Sequence, residues 1–101
     1  MNKKETLLID TNAVLYLIKG DENLLELLDQ QPVAINFITE IELLTWPQMT
    51  RGLNKVIQSL ILNVQYFDYS TRIKLAAITL RQKYKLKLAD AVIGATAIEY
   101  N

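Results

Sequence analysis

"TLLIDTNAVLYLIKG" (Thr6–Gly20) is the stretch on which the reading of the fold turns. Thr6 to Asp10 is a short apolar run that ends on a carboxylate, as a strand buried on both faces would. From Asn12 to Lys19 the pattern becomes helical, and Gly20 is a natural stop for that helix. A strand, a turn carrying a charge and a helix make the opening of a parallel α/β unit.

The same alternation continues outward. A second amphipathic helix is expected from Asp21, carrying Leu24, Leu25, Leu27 and Leu28. "PVAINF" (Pro32–Phe37) reads as the second strand, and "TEIELLTWP" opens a helix that Pro47 ends or kinks. In "TRGLNKVIQSLILN" the residues Leu53, Val56, Ile57, Leu60 and Ile61 fall at helical spacing. "VQYFDY" (Val64–Tyr69) is the third strand. Ser70 or Thr71 then caps a helix that runs to about Tyr84. The last helix spans Leu88 to about Tyr100. Strands that alternate with helices predict right-handed crossovers and a parallel sheet covered on both faces.

Composition narrows the chemistry. The 101 residues suffice for one domain, and with 50% hydrophobic and 22% charged residues the chain is globular in character. Cysteine and histidine are both absent, which excludes disulfides and thiolate metal sites and removes the commonest general base. Any bound metal would be held by oxygen, favouring Mg²⁺ or Mn²⁺ over zinc. No apolar run reaches the roughly 18 residues of a membrane span, and Asp10 arrives too early for a signal peptide, so a cytoplasmic protein is expected. Net charge is zero but uneven. Acids such as Asp10, Glu40 and Glu42 lie early; Arg51, Lys55, Arg72, Lys74, Arg81, Lys83, Lys85 and Lys87 lie late. This asymmetry suits a basic face near an acidic pocket, although solvated helix faces explain any single lysine.

Three carboxylates sit at element junctions. Asp10 ends the first strand, where α/β sheets gather ligands; an ordinary helix N-cap explains it as well. Glu42 follows Thr39 by three residues in "FITEIELL", the pattern of a capping box. Glu40 competes with it, and side chains two apart on a helix do not share a face, so at most one of the two faces a pocket. Asp90 opens an alanine-rich apolar turn. The helix dipole favours an anion there, but a buried carboxylate needs a partner, either a cation or Lys87. Together the three suggest an acidic pocket that a divalent ion would neutralise.

"LLIDTNAVLYLI", "FITEIELL" and "KLADAVIGATAIEY" resemble the three acidic motifs of the PIN domain, and most closely its VapC-type toxin ribonucleases. The resemblance covers Leu7 to Asn101. It implies a three-layer α/β/α fold and a ribonuclease that holds one or two Mg²⁺ or Mn²⁺ ions and cuts RNA. By motif, Asp10, Glu42 and Asp90 are then the catalytic, metal-holding acids, and Asn12 with its neighbour Thr11 orients the first of them. The bound ion would activate water, so no histidine is needed. Arg51, Arg72 and Lys87 are the candidates for RNA phosphates. Tyr16, Trp46 and Tyr66 are candidates for base stacking, with core packing as their alternative role. An antitoxin protein and a homodimer are the implied partners, with no membrane.

The resemblance also implies strand order 3-2-1-4-5, with a fourth strand beside the first. Nothing in the sequence supplies that strand, so one PIN-like domain over 1–101 is expected, cut short after the helix containing Asp90, with "TLLID" an exposed edge. On this ground the alternative function is a non-catalytic PIN-like binding or dimerisation module with an incomplete metal site. Nucleotide binding on a flavodoxin-like frame has no support: Gly20, Gly52 and Gly94 are scattered and form no phosphate loop.

Overall fold

The computed structural model describes residues 5–20 and 24–100. Strand β1 is Leu7–Leu8, followed by α1 (Thr11–Gly20) and α2 (Leu24–Gln30). Strand β2 (Val33–Asn36) leads into α3 (Phe37–Leu44) and α4 (Arg51–Asn63). Strand β3 (Gln65–Phe67) precedes α5 (Thr71–Lys83) and α6 (Leu88–Tyr100). The strands form one parallel sheet in the order β1-β2-β3, so each crossover carries two helices. This is the α/β architecture expected from the sequence. The expected start of α2 at Asp21 lies outside the described residues.

β2 is the central strand, and all four of its residues are buried. Its alternation divides the interior in two. Val33 and Ile35 join a core with Val14, Leu15, Leu28, Leu43, Ile57 and Leu60. On the other side, α5 and α6 form a second core of Ile73, Ala77, Ala91, Val92 and Ala95, against which Phe37 and Ile38 pack. Small residues let these two helices approach closely: a Cβ added at Gly94 would meet Leu80 Cδ1 at 3.4 Å. β1 is shorter than the five residues of "TLLID". It pairs only with β2 among the described residues, and Leu7 is half exposed at the sheet edge.

Side-chain caps set the helix starts. Thr50 Oγ1 accepts from Leu53 N at 3.0 Å, and Ser70 Oγ accepts from Ile73 N at 3.1 Å. The start of α3 differs from the sequence reading. Asn36 is its N-cap, accepting from Thr39 N at 3.2 Å, so the helix begins at Phe37 and Thr39 is an interior residue. The Thr39–Glu42 capping box is therefore not formed, because a competing Asx cap lies three residues upstream.

Asn36 does more than cap. Its amide Nδ2 donates to Thr96 Oγ1 of α6 at 3.1 Å, and that hydroxyl donates on to Val92 O at 2.8 Å. Asn36, Thr39 and Thr96 are fully buried. A second fastening joins β3 to α6, where Phe67 and Tyr100 stack with ring centroids 4.5 Å apart. A third joins β3 to α3: Tyr66 Oη donates to Glu40 Oε1 at 2.5 Å. Burial and the bond to Glu40, with the further charge of Asp68, push the Tyr66 phenol well above its ordinary range.

Two stability measurements follow from these contacts. Asn36→Ala removes a helix cap and a buried side-chain hydrogen bond, and urea unfolding should show a loss of about 2 kcal/mol; a loss below roughly 0.5 kcal/mol would mean that these bonds are not needed. Tyr66→Phe should cost about 1 kcal/mol at neutral pH. Because folding raises the phenol pKa, its contribution is complete below the free value of about 10 and falls as pH rises past it. Wild type should therefore lose stability above about pH 10 more steeply than Tyr66→Phe.

Candidate acidic site

The first helix receives its position from Asp10. Asp10 Oδ1 accepts from Ala13 N at 2.8 Å, and Asp10 O accepts the first helical bond from Val14 N at 3.0 Å. Asp10 is thus a true N-cap. One carboxylate oxygen is committed to the helix, which fixes the side chain, and the other remains available. The capping and functional readings of this residue are compatible rather than exclusive.

Glu42 comes from α3. Its Oε1 accepts from Thr11 Oγ1 at 2.5 Å, and Thr11 is buried. Since Glu42 is free of a capping role, this hydroxyl is what turns its carboxylate toward α1. Glu40 lies elsewhere, holding Tyr66 of β3. The phase difference between positions two apart on a helix separates these carboxylates.

Asp90 stands in the first turn of α6. Its side chain is exposed rather than enclosed in the apolar turn, because Ala91, Val92, Ala95 and Thr96 carry the buried face. The expectation of a buried charge in need of a partner is corrected here. Nor does Lys87 pair with it: among the described residues the ion pair formed is Arg72–Glu99, at 3.7 Å. The dipole of α6 and open solvent are enough to sustain the carboxylate.

Asp10, Glu42 and Asp90 line one pocket of about 240 Å³, with Thr11 and Asn12 beside them. Lys87 adds a cation to its wall, and Trp46, Ala89 and Ile93 complete it. Asp10 precedes the first turn of α1, Asp90 stands in the first turn of α6, and Glu42 reaches the same pocket from within α3. The N-terminal ends of α1 and α6 flank the pocket, which eases the crowding of negative charge. Arg51 begins α4, and Arg72 on α5 is engaged by Glu99; neither lines the pocket. Tyr16 is largely exposed on α1 and Tyr66 is held by Glu40, so among the three aromatic candidates Trp46 borders the site. Its indole packs on the larger core, and Nε1 donates to Gln48 Oε1 at 3.1 Å.

The donor set is oxygen alone, the chemistry of a hard divalent cation. Among the described residues, however, no three carboxylates converge into a ready-made ion site. The observed bond from Thr11 holds one oxygen of Glu42, and the cap holds one of Asp10. An ion would be held by the remaining oxygens after a rearrangement of side chains, within a pocket whose backbone walls are already in place. Asn36 was not legible as a support of the site. Asn36 resembled any strand residue, and only its register between α3 and α6 reveals its role. Thr39 Oγ1 is buried without a hydrogen-bond partner.

The fold is shared with known structures. A toxin–antitoxin complex from Klebsiella pneumoniae matches with a TM-score of 0.75 and 30% identity, over 93% of this chain and 79% of that one. DNA-bound VapBC from Salmonella typhimurium matches with a TM-score of 0.74 and 20% identity, over 94% and 80%. VapBC2 from Rickettsia felis, bound to a DNA fragment from its promoter, gives 0.73 and 20%, over 93% and 80%. At that identity the last two speak for the fold alone. No curated protein sequence matches the chain. The PIN domain profile matches residues 7–101, from the strand before Asp10 through the helix that carries Asp90, and the chain accordingly belongs to the PIN domain family.

Proposed function

We propose that this protein is a VapC-type ribonuclease toxin that hydrolyses RNA phosphodiester bonds with Mg²⁺ or Mn²⁺ held by Asp10, Glu42 and Asp90. The observation that carries the reading is the meeting of three sequence-distant carboxylates around one pocket. Once bound, the ion would supply a nucleophilic hydroxide at neutral pH and offset charge developing on the phosphoryl oxygens.

The chain's own residues set the stage for that chemistry. The cap bond to Ala13 anchors Asp10 at the head of α1 and leaves its second oxygen for an ion once the neighbouring side chains have rearranged. Thr11 orients Glu42 in the same manner. Asn12, on the pocket wall, offers an amide beside the acids. Lys87 places a positive charge where a phosphate would enter. Trp46, Ala89 and Ile93 form the apolar part of the pocket wall.

An antitoxin partner belongs to the same proposal, because the solved structure that is 30% identical is a toxin–antitoxin complex. A cytoplasmic site of action accords with it. Among the described residues no helix is long and apolar enough to cross a membrane.

Cleavage of a labelled RNA should require Mn²⁺ or Mg²⁺ and stop in EDTA. Asp10→Asn, Glu42→Gln and Asp90→Asn should each reduce it on the order of 100-fold or more, with circular dichroism unchanged. Activity that persists in EDTA, or survives Asp10→Asn, would sink the assignment; Mn²⁺ binding without cleavage would favour the non-catalytic module. Thr11→Val removes only the group that orients Glu42, and calorimetry should show Mn²⁺ affinity weakened by roughly 10–100-fold.

A further inference from the structure

Lys87 breaks a local rule. It occupies the N-cap of α6, the residue whose carbonyl accepts from Ala91 N at 3.0 Å. Serine, threonine, aspartate and asparagine favour that position, and the helix dipole opposes a cation there. Departures of this kind concentrate at functional sites. Lys87 also lines the acidic pocket, and among the described residues it forms no ion pair.

The segment around it is unusual in charge. Between Asp68 and Asp90 there is no acidic residue, and six of the chain's eleven Lys and Arg residues fall there. Helix structure explains some of them. Arg72 pairs with Glu99, and Arg81 and Lys83 occupy the last turn of α5, where the dipole welcomes a cation. Lys85 and Lys87 lie beyond the last turn of that helix. Between them Leu86 is half-buried against the α5–α6 core, which leaves the two flanking lysines exposed. Two residues of extended chain span at most about 7 Å, comparable to the step between phosphates of an unstacked strand.

We propose that Lys85 and Lys87 form a phosphate-binding edge that guides single-stranded RNA into the acidic pocket. The inference rests on the ribonuclease reading and adds to it the residues that grip the substrate and the side from which it enters. Lys87 takes the phosphate at the pocket wall, and Lys85 takes the next one outward. A pocket of about 240 Å³ has room for one phosphodiester group beside the acids, and two lysines on one edge follow one backbone.

The test is fluorescence anisotropy of a fluorescein-labelled single-stranded RNA in metal-free buffer, over a series of sodium chloride concentrations. Wild type is compared with Lys85→Gln/Lys87→Gln and with a charge-matched control, Lys19→Gln/Lys55→Gln. The control residues lie on α1 and α4 and do not line the pocket. Each phosphate contact contributes about 0.7 to the slope of log affinity against log salt, so the edge variant should lose about 1.4. The control should keep the wild-type slope. An unchanged slope in the edge variant, an equal loss in the control, or no RNA binding by wild type overturns the proposal. So does loss of binding to a labelled polyglutamate peptide with RNA binding intact, which would make this edge a protein contact. A separate Mn²⁺ cleavage assay keeps the two readings apart. Slope loss without wild-type cleavage removes the ribonuclease reading alone, while cleavage with an unchanged slope removes this inference alone.

Discussion

The buried amide of Asn36 is the constraint on which the acidic site depends. It ends β2, caps α3 through Oδ1 and reaches α6 through Thr96. Glu42 rides on α3 and Asp90 on α6. Their separation is thus set by one side chain that bonds to both helices. Hydrophobic packing brings the helices to the sheet, but it is non-directional and tolerates sliding. A fully buried polar pair does not, since a shift would leave donors unsatisfied in a dry interior. The neutral amide supplies donor and acceptor together without the desolvation cost of a charge.

Around this fixed frame the site tolerates three negative charges through local means. Asp10 and Asp90 stand at helix starts, where partial positive charge gathers. Glu42 draws a bond from Thr11, and Lys87 adds a full charge to the wall. Glu40 would have made a fourth carboxylate, and the helix phase carries it to Tyr66 instead. One turn of α3 therefore serves two purposes, with Glu40 fastening the helix to β3 and Glu42 serving the pocket.

The α/β order was legible in the sequence because short apolar runs alternate with helical patterns, and the last helix, Leu88–Tyr100, because its stretch is rich in alanine and other helix-compatible apolar residues. A cap at Ser70 or Thr71 was legible too, and Ser70 takes it. The start of α3 was not, because "NFITEIE" offers two caps three residues apart and local pattern cannot choose between them. Tertiary context chooses: Asn36 also gains Thr96, while Thr39 as a cap would gain nothing comparable. The acids were recognisable from motif and junction, but the exposure of Asp90 was not. Its apolar neighbours suggested burial on all sides, whereas α6 buries only the face of Ala91, Val92, Ala95 and Thr96. Lys87 was legible as a candidate partner for Asp90 or for an RNA phosphate, but its place at the N-cap was not, because the sequence alone does not show which residue precedes the first turn of a helix.

The exposure of these acids bears on how folding and ion binding relate. In a structural metal site the ligands are buried and unsatisfied until the ion arrives, so binding and folding are one event. Here Asp10 and Asp90 face solvent, and Glu42 already has a donor. Neither core contains a charged side chain. The free energy of folding is thus gathered by Val33 and Ile35 on one face of β2, and by the α5–α6 interface and Asn36 on the other. None of it waits for a cation. A pocket built in this way can bind and release an ion without disturbing the frame that positions it, which suits a site of chemistry better than a site of structure.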